Sequence, residues 1–232
     1  MEEPIWLDQD IWFPKPDHAM TNPNGLLAAG GDLSTERLLF AYANGIFPWY
    51  EECQPILWWS PNPRCIIIPD ELHISRSMRK HLNKREYTVR IDTQFEQVIS
   101  HCASPRGYSD KTWITDAMIQ AYTQLHNQGH CHCFEVFHGN KLVGGLYGIA
   151  IGPCFFGESM FSLATNASKV AFIYLVKQLE CWGFSLIDCQ LENDHLLTMG
   201  CKSIPRSTFL SILDEEIKKP PPGNTWKLTW QW

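Results

Sequence analysis

The sequence lacks the features that define several common classes of protein. It has nine cysteines but no Cys-x-x-Cys pair, and most of them lie inside apolar segments, as small core residues do. No apolar run approaches the ~18 residues of a membrane-spanning helix; the longest is Val170–Val176. We therefore expect neither a disulfide framework nor a membrane segment.

Positive charge is also scarce. The chain has 19 Lys and Arg against 25 Asp and Glu, a formal net charge of −6, which excludes a wholly basic nucleic-acid-binding protein. The segment 72–90 is the exception, since it holds six bases and one acid, Glu86. This asymmetry favours a local phosphate-binding face. The start of the sequence is acidic where a signal peptide would be basic, so a reducing, cytoplasmic location is expected.

Two kinds of ligand site find no support in the sequence. The turn glycines Gly25, Gly30 and Gly31 are not followed by the lysine of a nucleotide-binding P-loop. The run His130–Cys133 alternates His and Cys along a predicted strand, so neighbouring side chains point to opposite faces. No second cluster completes a four-ligand zinc site. We expect no metal and no cofactor.

The predicted elements indicate an α+β or α/β protein in two parts. The first sixty residues are rich in Pro, Gly and Trp, which permits only short elements, such as a helix from Ser34 to Asn44. Beyond them strands alternate with helices, and a three-stranded meander precedes a buried helix and a further strand. We predict a small N-terminal domain, 1–62, and a catalytic domain, 63–232, in which helices flank a central mixed sheet. This order of elements resembles the acetyltransferase-like (GNAT-type) architecture. The predicted strands are 65–68, 88–91, 131–137, 142–151, 154–161 and 184–191, and the predicted helices are 75–84, 93–102, 115–128, 168–182, 193–199 and 206–218.

Two predicted strands carry polar side chains that need an explanation. Glu158 lies among bulky apolar residues, where a buried carboxylate is costly without a partner. In the last strand, the two-residue period places Asp188 and Gln190 on one face, opposite Ile187 and Cys189. A carboxylate beside an amide can orient a nucleophile or accept its proton. A structural ion pair or a solvent-facing edge strand would explain the same pattern.

Eight segments, in order and at matching spacing, resemble one family. The chain is similar to bacterial leucyl/phenylalanyl-tRNA–protein transferases from about residue 10 to about residue 215. No single segment is decisive, but the series is specific. The segments are Asn24–Leu33, Gly45–Trp49, Leu57–Pro61, Leu72–Ser77, Thr112–Thr115, Val143–Gly148, Gly157–Ser162 and Leu186–Gln190.

The resemblance implies a reaction and its substrates. A Leu, Phe or, less often, Met residue leaves the ester of its aminoacyl-tRNA and joins the α-amine of a protein that begins with Arg or Lys. The new N-terminus marks that protein for degradation. Because the donor is already an activated ester, no cofactor is needed. The enzyme is also expected to be a monomer.

The resemblance also implies roles for individual residues. Asp188 and Gln190 are assigned to proton transfer and to orientation of the amine, and Glu158 to the cationic side chain of the acceptor. Trp49 and Trp113 would flank the terminal adenosine. Leu146, Phe155, Leu175, Leu179 and Ile187 would form the pocket for the donor side chain, and Leu at 146, 175 and 179 differs from the Met and Phe of many relatives. The basic segment (Arg76, Arg79, Lys80, Lys84 and Arg85) would contact acceptor-stem phosphates.

Two alternatives come from other functional classes. A coenzyme-A-dependent N-acetyltransferase would hold pyrophosphate on a Gly-rich turn before a helix, but the turn 163–168 has no glycine. A non-catalytic RNA-binding module would explain the basic segment and the tryptophans. It would leave Glu158, Asp188 and Gln190 unexplained.

Overall fold

Two β-sheets organise the chain, whose computed structural model describes residues 3–104, 114–223 and 226–232. The first sheet has the strand order β1-β2-β4-β3 and the second the order β11-β5-β10-β9-β8-β7-β6. The strands are β1 Ile5–Leu7, β2 Leu26–Gly30, β3 Phe47–Pro48, β4 Leu57–Trp59, β5 Arg64–Ile67, β6 Thr88–Ile91, β7 Cys131–His138, β8 Lys141–Ile151, β9 Cys154–Ser162, β10 Leu186–Gln190 and β11 Lys202–Ile204. The α-helices are α1 Thr35–Ala43, α2 Arg76–Leu82, α3 Phe95–Ala103, α4 Asp116–Asn127, α5 Ala167–Trp182, α6 Asp194–Leu197 and α7 Arg206–Glu216, and short 3₁₀ turns lie at Pro16–His18 and Pro69–Glu71.

Local sequence signals account for where the helices begin. The side chains of Ser34, Ser75 and Thr115 accept hydrogen bonds from backbone N–H groups three residues on and so cap α1, α2 and α4. The helix α5 ends at Gly183, whose positive φ suits a glycine C-cap. All seven predicted helices and the strands of the meander are confirmed to within a few residues.

The larger sheet is mixed and covered on both faces. Within it, β9 and β10 run parallel, and the other pairs are antiparallel. Apolar side chains of α1, α3, α4 and α7 pack with one face of the sheet and with the small N-terminal sheet, as Phe156 does with Tyr42. The helix α5 covers the other face together with α2. The predicted class, a central mixed sheet flanked by helices, is therefore confirmed.

The two sheets divide between β4 and β5, at residues 60–63. They share one apolar core, because Trp58 of the small sheet lies in the same cluster as Ile66 of the large one. The predicted limits of two separate domains, 1–62 and 63–232, stay a prediction.

Two of the β-bulges in the large sheet lie at neighbouring points. Tyr147 pairs with Ser159 and Gly148 with Gly157, so that Glu158 is the extra residue of β9. A side chain at Gly148 could not be accommodated, because a Cβ there would lie 2.2 Å from the carbonyl oxygen of Phe156. In β10 a second bulge between Asp188 and Gln190 leaves Cys189 as the extra residue. Bulges re-aim side chains, and these two lie at the edge of a cavity of about 1040 Å³.

The C-terminal tail packs against α5 and the face of the sheet that α5 covers. The Trp226 ring stacks on His132 with 3.4 Å between ring centroids, and Trp230 meets Tyr174 edge to face at 4.9 Å. Trp232 donates its indole N–H to Asn83 Oδ1 at 2.7 Å, just after α2. The described end of the chain, 226–232, is therefore part of this packed layer.

Candidate active site

A cavity of about 1040 Å³ opens between the bulged strands and α5. Of the site residues predicted from the sequence, Glu158, Gln190, Leu146, Leu175 and Ile187 line it. Strands β8, β9 and β10 therefore bring a carboxylate, an amide and apolar side chains to one cavity. Its volume is at the upper end of the range for ligand pockets in proteins.

Glu158 is buried and held by two neutral groups. Its Oε2 accepts a hydrogen bond from the Tyr122 hydroxyl at 3.0 Å, and its Oε1 accepts one from Gln190 Nε2 at 2.7 Å. Burial raises the pKa of Glu158 to about 7, against the opposing effect of hydrogen bonds from the tyrosine hydroxyls and the amide. The carboxyl group therefore changes charge near neutral pH, where a cationic partner would favour the ionised form.

Gln190 is oriented from both of its ends. Its backbone N–H donates to Asp188 Oδ1 at 2.9 Å, while its side-chain amide donates to Glu158. The residue has a φ of +62°, a left-handed conformation that the bulge requires and that few non-glycine residues adopt. Because the amide nitrogen is used by Glu158, the side-chain carbonyl oxygen is the group that can accept a hydrogen bond from an incoming amine.

Asp188 lies behind this pair and does not line the cavity. Its side chain is fully buried and makes two hydrogen bonds with Arg64, at 2.8 and 2.6 Å. The predicted alternation placed Asp188 beside Gln190 and opposite Ile187 and Cys189. The bulge breaks that alternation, and Gln190 lines the cavity together with Ile187 and Cys189.

The predicted apolar pocket is brought together in part. All five residues are buried; Leu146, Leu175 and Ile187 line the cavity, whereas Phe155 and Leu179 do not. All five belong to the same apolar cluster on the α5 side of the sheet. Phe155 and Leu179 therefore pack in the same layer without lining the cavity, whose apolar surface also includes Met160, Phe161 and Phe172.

The predicted adenosine-binding pair can be located only in part. Trp49 follows β3, is 40% exposed and lies 5.5 Å from the Trp59 ring, but it is not among the residues that line the cavity. The next residue, Tyr50, contacts the Thr115 hydroxyl at 3.2 Å. Trp113 lies outside the described residues.

The predicted phosphate-binding segment is a solvent-facing helix and its following turn. The basic side chains of this segment are all exposed: Arg76, Arg79, Lys80, Lys84 and Arg85. Lys84 has a loose ion pair with Glu86 at 3.8 Å, and the Arg79 Nε donates to the carbonyl of Ile74 at 3.0 Å. Apart from these contacts the segment presents positive charge to solvent.

Sequence reasoning missed three residues that build the site. Arg64 pairs with Asp188 across 124 positions of sequence, and the hydroxyls of Tyr42 and Tyr122 contact each other beside Glu158. Burial, with the nearby Glu158 carboxylate, raises the pKa of both tyrosines well above its usual value, so that both stay neutral donors. The only local signal was a lone arginine at the start of an apolar strand.

Residues 3–104, 114–223 and 226–232 contain no group of three or more His, Cys, Asp or Glu side chains placed to hold a metal ion. No helix in these ranges is both long and apolar enough to cross a membrane.

Solved structures offer only distant similarity. The structure of L-PGS from Bacillus licheniformis aligns with a TM-score of 0.40 and 13% identity, over 72% of this chain and 53% of that one. A GCN5-related N-acetyltransferase from Kribbella flavida aligns with a TM-score of 0.40 and 9% identity, over 71% of this chain and 59% of that one.

Proteins of similar sequence are far more closely related to this chain. The family profile described as leucyl/phenylalanyl-tRNA protein transferase matches residues 66–214, and the profile of that family's N-terminal domain matches residues 31–62. A leucyl/phenylalanyl-tRNA–protein transferase of Hahella chejuensis is 58% identical over 97% of this chain and 95% of its own length. A protein of the same name from Pseudomonas fluorescens strain SBW25 is 55% identical over 94% of this chain and 97% of its own length. The chain therefore belongs to the leucyl/phenylalanyl-tRNA–protein transferase family.

Proposed function

We propose that this enzyme transfers Leu, Phe or, less often, Met from aminoacyl-tRNA to the α-amine of proteins that begin with Arg or Lys. The transferred residue becomes a new N-terminus that marks the acceptor for degradation. The single observation that carries the proposal is the meeting of Glu158 and Gln190 with an apolar wall in one cavity. Membership of the family supplies the reaction class.

The donor side chain occupies the apolar part of the cavity in this proposal. Leu146, Leu175 and Ile187 provide the contact surface, and Phe155 and Leu179 pack with them in the same apolar cluster. A pocket of this kind discriminates by only about 1–3 kcal/mol per methylene, so several unbranched or γ-branched side chains fit. Trp49 and Trp113 flank the terminal adenosine of the tRNA.

The acceptor enters on the carboxylate side of the cavity. The ionised Glu158 binds the guanidinium or ammonium of the N-terminal side chain, because a partly desolvated carboxylate is a strong partner for such a cation. A neutral acceptor side chain would leave the buried carboxylate without compensation. The enzyme therefore selects Arg and Lys.

The chemical step needs little acid–base help. An α-amine has a pKa of about 7.7 to 8.0, so a fraction of it is neutral at pH 7. The amine nitrogen attacks the ester carbonyl, the carbon–oxygen bond to the ribose breaks, and the departing ribose oxygen gains the proton that the amine loses. Gln190 accepts a hydrogen bond from the amine through its carbonyl oxygen. Asp188 is a positioning residue that fixes the Gln190 backbone.

The tRNA is bound through its backbone, and the enzyme acts in a reducing compartment. The basic segment contacts acceptor-stem phosphates without reading their sequence. The enzyme works as a monomer, without a cofactor, in the cytoplasm. The nine cysteines, all of them free thiols, fit a reducing compartment.

The decisive experiment is a direct transfer assay. The purified enzyme is mixed with radiolabelled Leu-tRNA and a peptide that begins with Arg, and the label is measured in ribonuclease-resistant peptide. A matched peptide that begins with Ala should stay unlabelled. The proposal fails if both peptides are labelled equally, or if neither is labelled while acetyl-coenzyme A serves as a donor.

A further inference from the structure

Three cysteines with no part in the proposed reaction meet next to the cavity. Cys189 is the extra residue of the β10 bulge, and Cys201 directly precedes β11. Their sulfur atoms are 3.8 Å apart. The third, Cys65 of β5, pairs with Gln190 on one side and with Ser203 on the other, which places it between the two strands.

The three thiols differ in their access to solvent. Cys65 is fully buried and Cys201 is 5% exposed, whereas Cys189 is partly exposed and lines the cavity. A small oxidant that enters the cavity therefore meets Cys189 first. Packing as small apolar residues would explain Cys65 and Cys201, but it does not explain why a residue that lines the cavity has its sulfur in contact with a second thiol.

We propose that Cys189 and Cys201 are a reversible redox-modification site, which a peroxide converts to a disulfide that switches the enzyme off. The Cys189 sulfur attacks one oxygen of hydrogen peroxide, the O–O bond breaks, and water and a sulfenic acid form. The Cys201 sulfur then attacks the sulfenic sulfur and releases a second water. The two thiols are oxidised by two electrons, and the peroxide is reduced.

The geometry links this step to the site. A disulfide requires a sulfur–sulfur distance of about 2.05 Å, so the thiols must approach each other from their present contact distance. Cys189 lies between Asp188 and Gln190 in the chain. Movement of Cys189 therefore shifts the bulge, in which Gln190 has its left-handed backbone conformation. The hydrogen bonds from Gln190 to Asp188 and Glu158 would then be disturbed. In reducing compartments, disulfides are typically transient and regulatory.

Cys189 is not a fast-reacting thiol. Hydrogen bonding with Cys201 and Cys65, together with burial, raises its pKa well above the usual value, and the thiolate is the reactive form. The exposed Cys53 and Cys181 therefore react first and must be removed. The parent protein for the test is the C53S/C181S double variant, which alters neither the cavity nor the three clustered thiols.

The test measures the bond and the activity separately. The parent is treated with hydrogen peroxide, remaining thiols are blocked with iodoacetamide, and cleavage after Glu192 separates Cys189 from Cys201 for mass spectrometry under non-reducing conditions. We expect a Cys189–Cys201 linked peptide. The rate of Leu transfer should fall by about tenfold or more, because small displacements of positioning groups have large kinetic effects. Dithiothreitol should restore it.

A further Cys201→Ser change supplies the matched comparison. This variant should keep its basal activity and lose the reversible inactivation. The proposal is overturned if the linked peptide does not form, if it forms without loss of activity, or if the C201S protein is inactivated and restored to the same extent. Because the disulfide is detected chemically, its presence or absence is established even if the proposed transfer reaction fails.

Discussion

Arg64 and Asp188 form a fully buried ion pair in which Nε and Nη2 of the arginine each bond one carboxylate oxygen. The guanidinium also lies 4.7 Å from the ring centroids of Phe47 and Phe209. The small N-terminal sheet, the large sheet and α7 therefore meet at this pair. Asp188 in turn holds the Gln190 backbone, so the pair connects the packing of the two sheets to the site.

Replacing Arg64 by Met should therefore be severely destabilising. It leaves the Asp188 carboxylate buried without a counter-charge, which typically costs about 3–5 kcal/mol. The measurement is the free energy of unfolding in urea. The exposed Arg76→Met is the matched control and should change it by less than about 0.5 kcal/mol. The double variant R64M/D188N should be more stable than the R64M protein, and equal stability of the two would show that the pair is not coupled.

The sequence predicted the elements well where their signals are local. Ser34 marked the start of α1 and Thr115 the start of α4. The small sheet was missed, because its strands have two to five residues and lie between turn residues. Such short strands form only when partners far away in sequence complete the ladder.

The sequence identified residues that line the cavity but not how they are arranged there. Glu158 and Gln190 stood out because polar residues in apolar strands need partners, and both line the cavity. These two bulges had no sequence signal that a two-residue period could detect, so Asp188 was expected to share a strand face with Gln190, whereas only Gln190 lines the cavity. The partner Arg64 was missed because a tertiary contact, unlike a cap, has no fixed spacing in the sequence: Arg64 and Asp188 are 124 positions apart.

The use of cationic acceptors should depend on pH through Glu158. Because its pKa is about 7, the ionised form grows as the pH rises from 6 to 8, and the KM for an Arg-peptide should fall over that interval. Deprotonation of the α-amine also increases kcat as the pH rises, so KM and kcat must be measured separately. Glu158→Gln should remove the pH dependence of KM for the peptide and leave the KM for Leu-tRNA nearly unchanged. An equal increase in the KM for the Arg-peptide and in the KM for Leu-tRNA would contradict the role given to Glu158.

The Glu158 carboxyl group should also make the stability of the fold depend on pH. A rise in pH improves acceptor binding but lowers stability. A pKa raised from 4.5 to about 7 in the folded state means that stability is fully present below pH 4.5 and is lost as the pH rises through 7. The loss corresponds to at most about 3 kcal/mol. The E158Q protein lacks this loss, so its advantage over the unsubstituted protein in urea unfolding should grow between pH 5 and pH 8. A constant difference across that range would show that Glu158 does not titrate as described.

The docked tail should depend on Gln178. This fully buried side chain accepts hydrogen bonds from the backbone N–H groups of Thr229 and Trp230, at 2.7 and 2.8 Å, and donates to the Thr229 hydroxyl at 2.9 Å. Gln178→Ala leaves those backbone groups without their partner, at a cost of about 1–3 kcal/mol. Trypsin should then cleave after Lys227 about tenfold faster, because cleavage follows the population of the open form. The exposed Gln120→Ala on α4 is the control, and equal cleavage of the two variants would show that Gln178 does not hold the tail.

The basic segment should contribute a salt-dependent, sequence-independent part of tRNA binding. Changing Arg76, Arg79 and Lys80 to Glu reverses charge on an exposed helix whose fold depends on Met78 and Leu82. Each phosphate contact that is lost should lower the slope of log affinity against log salt by about one. Filter binding of Leu-tRNA between low and physiological salt measures the slope. The control changes Lys15, Lys218 and Lys219, which are also exposed but lie elsewhere, to Glu. Because the change in net charge is the same, a difference between the two triple variants reports the position of the charges, and identical slopes would show that the tRNA binds another face.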